Sequence, residues 1–285
     1  MKKILVATDF SARSDRAVRR ATLLARQTDA SILLVHVVDD DQPAQAIESA
    51  RQAAAQLMHE QTKTLKDFDG VACNSRIVVA APSIGVVQTV QDFAPDLLVI
   101  GRHRRQPMRD SFIGTTAERV IRSVPCPVLM VKAPPVGPYR AILLAADLSE
   151  GCRMAIESFA ALGIAGHARV SALYVFDAPA SGLAMSRMMP TDTMDRHLRK
   201  EHKDAERALA HFTEDLNVKV AERLVQRDGA NPASCILEVA EQTGAGLVVV
   251  GTRGRSGLAK MLLGSVAEEI LRNAEADVLA VPPKR

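Results

Sequence analysis

The chain is expected to be an α/β protein of two similar domains, each an open five-stranded parallel sheet with helices on both faces. Three observations predict this. The sequence repeats itself: Ile4, Asp9 and Ser11 recur as Ile142, Asp147 and Ser149, and Val35-His36-Val37 recurs as Leu173-Tyr174-Val175, at an offset of 138. Leu97–Gly101 then recurs as Leu247–Gly251, and Gly114-Thr115 as Gly264-Ser265, at an offset of 150, so the second copy carries 12 extra residues in between. Within each copy, short aliphatic runs alternate with helix-period segments. Between the copies lies Ala133-Pro134-Pro135-Val136-Gly137-Pro138, a stiff join without periodicity. The expected division is a first domain over 1–132, a linker over 133–139 and a second domain over 140–285.

Each element has its reason. Ile4–Thr8 is continuous and aliphatic, as a strand buried on both faces must be. Ser11 to Gln27 is helical, with Ala17, Val18, Ala21, Leu24 and Ala25 at helical spacing. Ser31–Val38 is the second strand, and Gln45 to Lys66 a long alanine-rich helix. Ser75–Val79, Leu97–Ile100 and Pro127–Val131 are the remaining strands, separated by helices over Ile84–Phe93 and from Thr116 to Arg122. Strands separated by helices pair in parallel through right-handed crossovers, which covers both sheet faces. The extra residues of the second copy are expected in Ala178–Leu198. Its methionines, Met185, Met188, Met189 and Met194, suit an adaptable apolar surface over a pocket or against the other half, or the packing of a helix start.

Composition narrows the function. Of 285 residues, 47% are hydrophobic and 24% charged, enough for two ordinary cores. With no Trp and 2 Tyr, base stacking has few aromatics to use, and a net charge of +3 is too balanced to imply a nucleic-acid or membrane-surface partner. No apolar run is long enough to span a bilayer, and Met1-Lys2-Lys3-Ile4 enters a strand without a signal core, so a cytoplasmic protein is expected. Cys73, Cys126, Cys152 and Cys235 form no C-x-x-C pair and read as reduced, small buried side chains.

In open parallel sheets, ligands bind beyond the carboxyl ends of the strands. In the second half those ends are Ala146-Asp147, Val175 and Val250-Gly251. Gly251 opens the stretch GTRGRSGLAKMLLGS, in which Gly251 and Gly254 follow a strand and Gly264-Ser265 starts the helix of Val266–Leu271. Glycines admit backbone amides close to a phosphate, and a helix start offers unpaired N–H groups and a positive dipole end. The spacing is neither a P-loop nor a dinucleotide G-x-G-x-x-G. Asp147 suits a ribose, a base or, with a metal, a phosphate, and equally a helix cap. Val175 suits apolar contact with a flat base, and equally plain core. Arg253, Arg255 and Lys260 in the spacer could neutralise distal phosphate charge or simply stand in solvent.

Strand-Asp-x-Ser, a strand ending His36-Val37, G-x2-G-x9-G-S and the closing Cys126-Pro127-Val128-Leu129-Met130-Val131 together resemble the universal stress protein family, in its tandem form, over nearly the whole chain. The resemblance implies a Rossmann-like, adenine-nucleotide α-hydrolase-like domain that dimerises through its last strand. In one chain it implies that the two halves pair as a pseudo-dimer, with a further homodimer open. It implies ATP, ADP or AMP, with or without Mg2+, held by Ala146, Asp147, Val175, Val250, Gly251, Gly254, Gly264, Ser265 and Val266. The first half departs from this pattern. Thr8, Asp9, Val37, Gly101, Gly114 and Thr115 remain, but Arg104 stands where the second glycine belongs, within Gly101-Arg102-His103-Arg104-Arg105. Its Cβ crowds that place, although a guanidinium can also meet an anion. A degenerate first site is therefore expected.

His197 and Glu201 share a helix face at zinc-ligand spacing, with His202 beside them. A metal site would have to recruit Asp195 and His211, and a solvated polar face is the simpler reading. His36 and His103 lack catalytic partners. No base, nucleophile or acceptor site stands out. The expected function is therefore a regulatory or stress-survival role that binds adenine nucleotide mainly in the second half and signals to a protein partner. The alternatives are slow ATP hydrolysis or substrate activation, and a nucleotide-free interaction scaffold.

Overall fold

The computed structural model describes residues 1–102, 115–176, 191–228, 231–252 and 263–283. The first half runs β1 (Lys3–Ala7), α1 (Ala12–Thr28), β2 (Ser31–Val38), α2 (Ala44–Asp67), β3 (Cys73–Val79), α3 (Pro82–Phe93), β4 (Leu97–Gly101), α4 (Thr115–Ser123) and β5 (Val128–Val131). The second half runs β6 (Ala141–Ala146), α5 (Glu150–Leu162), β7 (Arg169–Phe176), α6 (Thr191–Glu214), β8 (Glu222–Arg227), α7 (Pro232–Gln242), β9 (Leu247–Gly251), α8 (Ser265–Asn273) and β10 (Asp277–Val281). Every expected element of the first half is present, and only the ends move. The last strand, for example, begins after Pro127, which has no N–H to give a ladder. Residues 39–43 join β2 to α2, whereas 177–190 join β7 to α6, so most of the extra length falls in that connection.

Within each half all strand pairs are parallel, in the order β3-β2-β1-β4-β5 and β8-β7-β6-β9-β10. The halves do not stay separate sheets. β5 and β10 pair antiparallel, Leu129 opposite Leu279, and make one sheet of 10 strands. The strands alternate between two cores, as the period of two demands. Ile4 and Val6 pack under α1 and α2, in a core continuous with Phe159 and Leu209 of α5 and α6. Leu5 points the other way, to the core built from α3, α4, α7 and α8 with Val90, Val120, Val239 and Ile270. The outer edges, β3 and β8, expose Asn74, Ser75, Arg76, Glu222 and Arg223. Polar and charged edges discourage further strand addition.

The first helix of each half is started in the same way. Ser11 caps α1 by accepting from Ser14 N, and Ser149 caps α5 by accepting from Cys152 N. Asp9 and Asp147 in turn accept from the amides of Ser11 and Ser149, at 3.0 and 2.9 Å. Between each Asp and Ser, a bulky residue takes the left-handed conformation: Phe10 at φ 59° and Leu148 at φ 61°. A non-glycine residue there costs on the order of 1–3 kcal/mol and persists only where its surroundings enforce it. Both halves hold this strain at the carboxyl end of their central strand.

Among the described residues no helix is long and apolar enough to cross a membrane.

Candidate functional site

The order β9-β6-β7 in the second half, and β4-β1-β2 in the first, puts a crevice beyond the carboxyl ends of these strands, where the connections change direction. In the second half that rim carries Ala146 and Asp147 at the end of β6, Val175 in β7, Val250 and Gly251 at the end of β9, and Gly264, Ser265 and Val266 at the start of α8. Gly254, Arg253, Arg255 and Lys260 lie outside the described residues. The chain leaves at Thr252 and returns at Leu263. The Gly264 amide donates to Thr252 O at 2.9 Å, and the Thr252 amide to Val281 O at 2.9 Å, so the neck is pinned to β10. The Gly264 amide is therefore committed to the chain. The donors left for an anion are those of the first turn of α8, where no side chain caps. The contrast with α5, and with α7, whose Ala233 amide is capped by Asn231 at 2.9 Å, is direct. Glu268 in that first turn is neutralised by Arg272 at 2.7 Å and by Arg122 of the first half at 3.8 Å. One oxygen of Asp147, Oδ1, is spent on Ser149; Oδ2 makes no hydrogen bond among the described residues.

The first half brings its expected residues together around a cleft of about 480 Å3, within the size range of small-molecule sites. Thr8, Asp9, Val37 and Gly101 line it; Thr115 opens α4 beside it, while Arg104 and Gly114 lie outside the described residues. Among the further lining residues, the sequence reading missed Arg13 and Ser14 and noted Arg102 only as part of the run after Gly101. Comparing the copies side by side would have found them, because their counterparts are Gly151, Cys152 and Thr252. The two floors therefore differ. In the first half, Thr8 Oγ1 donates to Ser14 Oγ at 3.2 Å, and His36 Nδ1 lies 2.9 Å from Thr8 O with its ring 4.5 Å from that of Phe10. In the second half, Ala146 replaces Thr8, and the thiol of Cys152 is pushed up to about 12 by burial. Burial raises the Asp9 pKa too, but hydrogen bonds from Ser11 and Ser14 and the nearby charge of Arg13 outweigh it and hold the carboxyl below its usual range. Asp9 is thus ionised at neutral pH.

Gly101 has a different reason to be glycine than contact with phosphate. A Cβ there would stand 2.7 Å from Arg13 O, so the residue lets the first turn of α1 rest on the end of β4. Gly101→Ala should therefore lower the unfolding free energy by about 1–3 kcal/mol, as overpacking against rigid backbone does. Urea denaturation reads this directly; an unchanged midpoint would show that the helix start can move aside.

The candidate zinc residues do not converge. His197 pairs with Glu201 at 3.2 Å and His211 with Glu214 at 3.3 Å, the side chain of Asp195 lies outside the described residues, and no group of three or more His, Cys, Asp or Glu gathers among those described. Met185, Met188 and Met189 lie outside the described residues, as does the side chain of Met194.

The sequence profile of the Universal stress protein family matches residues 1–132 and, a second time, residues 138–282. The chain belongs to the universal stress protein family. It is a tandem member, with one copy of the domain in each half. A universal stress protein of Mycolicibacterium smegmatis is 28% identical over 298 residues, covering 99% of this chain and 97% of its own length. One of Methanocaldococcus jannaschii is 32% identical over 149 residues, covering 52% of this chain and 85% of its own. Among solved structures, a universal stress protein from Archaeoglobus fulgidus superposes with a TM-score of 0.69 at 17% identity, covering 98% of both chains. That likeness establishes a shared fold over both halves.

Proposed function

We propose that this tandem universal stress protein is a cytoplasmic, adenine-nucleotide-binding regulator in which the second half holds ATP, ADP or AMP. The observation that carries the reading is the start of α8. Its first-turn amides are uncapped at the carboxyl end of β9, in the half that keeps all three glycines of G-x2-G-x9-G-S. The residues fit the ligand. Val175 offers an apolar wall to a base, Oδ2 of Asp147 is an acceptor for ribose or base, and Ser265 and Val266 lie where an anion would be held. Mg2+ arriving with the phosphates would need only Asp147 and water from the protein side.

Among the described residues of this rim no group stands as a nucleophile with its base, and binding rather than turnover is the proposed role. A second reading, in which both halves take nucleotide, is favoured by the 480 Å3 cleft and by Arg13 and Arg102 in its lining. One experiment addresses both. Ligand released from purified protein is identified by mass spectrometry, the stripped chain is titrated calorimetrically with ATP, and phosphate release is followed in the same samples. The proposal expects an adenylate in the released fraction, one site per chain and no turnover above background. Two sites would establish the second reading, and an absence of binding would leave the nucleotide-free scaffold.

A further inference from the structure

The edge joining the halves is apolar and nearly the same on both sides. Val128-Leu129-Met130-Val131 meets Val278-Leu279-Ala280-Val281 antiparallel, with Leu129 opposite Leu279. These leucines are equivalent in the repeat, so a pseudo-twofold axis passes between them. Backbone ladder and aliphatic surface alone would let either last strand pair with its own copy in another chain as readily as with its partner half.

Asp277 breaks that symmetry. It is fully buried at the start of β10, and every hydrogen bond to its carboxylate comes from across the seam or from the connector. Oδ2 accepts from Arg20 Nε of α1 at 3.1 Å and from Tyr139 OH at 2.7 Å; Oδ1 accepts from the amides of Lys132 at 2.8 Å and Ala133 at 3.2 Å. Arg20 also donates to Gly137 O at 2.7 Å and lies 4.1 Å over the Tyr139 ring, while Lys132 Nζ donates to Ala274 O at 2.7 Å. The positions related by the pseudo-twofold hold none of this. Pro127 stands for Asp277, Ser158 for Arg20, and Pro282 and Pro283 for Lys132 and Ala133. If two second halves paired, each Asp277 would meet prolines without N–H and a serine already bonded to Met154 O. If two first halves paired, each Arg20 would be buried against Pro127. A buried charge without its partner is heavily penalised.

We propose that the Asp277–Arg20 cluster is a selectivity device of the seam: it admits a first half against a second half and excludes like halves from two chains. Here the buried ion pair acts as a registry element, and the exclusion comes from what each wrong pairing leaves unpartnered.

The test uses the full chain carrying Leu129→Cys and Leu279→Cys, unfolded, refolded with oxidised glutathione, and mapped for disulfide-linked peptides. With the cluster intact, 129–279 links should dominate. In the Arg20→Met/Asp277→Leu background, and in the more conservative Asp277→Asn, the 129–129 and 279–279 links should rise by about tenfold or more. Without the added cysteines, sedimentation should show species that grow with concentration in the neutral variant and not in the native chain, because like pairing leaves an open edge to propagate. Abundant like-half links with the cluster intact, or an unchanged map and unchanged sedimentation in a folded variant, overturns the proposal. Failure of both variants to fold also overturns it, since the cluster would then build the halves rather than choose between them.

Discussion

Replacing Asp277 with alanine is expected to lower the folding stability by about 3–5 kcal/mol, the cost typical of removing one member of a buried ion pair. The loss is large because the carboxylate has four partners, three of them on the buried residues Arg20, Lys132 and Tyr139. Arg20 is 6% exposed and would keep its charge without a counter-ion, while the amides of Lys132 and Ala133 would lose their acceptor. Arg20→Met/Asp277→Leu should recover only the part owed to the stranded Arg20 charge, because an apolar pair of similar volume carries no desolvation penalty while the amides of Lys132 and Ala133 still lack an acceptor. Guanidinium denaturation of the three proteins measures this; equal midpoints for Asp277→Ala and the native chain would mean that water reaches the cavity. Tyr139 adds a pH arm. Burial first, then the charge of Asp277, pushes its hydroxyl well above the ordinary tyrosine range. The folded chain thus keeps a proton that the unfolded chain sheds above about pH 10. The contribution is complete below that pH and is lost as pH rises beyond it. Tyr139→Phe should flatten this alkaline loss, at the expense of one hydrogen bond to a charged acceptor, about 1.5–3 kcal/mol.

That cluster also marks the boundary of what the amino-acid sequence reveals. The repeat, the strand and helix alternation and the glycine-rich stretch were legible because each depends on neighbours in the chain or on a fixed offset. Asp277 reads as an ordinary charged residue just before a strand. Its burial follows from β10 pairing with β5, a contact between halves that no local pattern encodes. Phe10 and Leu148 were equally silent, since aromatic and aliphatic side chains do not announce a left-handed backbone; the hydrogen bonds from Ser11 and Ser149 to Asp9 and Asp147 brace it. Gly101 was legible as important, but its reason lies in the carbonyl of Arg13, far away in sequence. Gly264 likewise belongs to the repeated glycine pattern, yet its amide serves Thr252.

Gly254→Arg, which copies position 104 of the first half, should weaken ATP binding by about a hundred- to a thousandfold, which corresponds to roughly 3–4 kcal/mol. This loss is what one or two charge-assisted amide bonds to phosphate are worth. Gly254 lies outside the described residues, so the expectation rests on the repeat and on the frame around it: Thr252 pinned to Val281, and α8 beginning without a cap three residues after Leu262. A Cβ and a long side chain entering that frame would take up the space an anion needs in front of the first-turn amides. The reciprocal change separates crowding from a general loss of the loop. Arg104→Gly restores the glycine spacing in the first half, whose cleft already carries Asp9, Val37 and the cations Arg13 and Arg102. Calorimetry should then show a second site per chain, while the first retains its affinity. If Gly254→Arg binds as the native chain does, the nucleotide is not held by that loop. If Arg104→Gly leaves the stoichiometry at one, the hydroxylic floor of Thr8 and Ser14, and not the missing glycine, is what distinguishes the two halves.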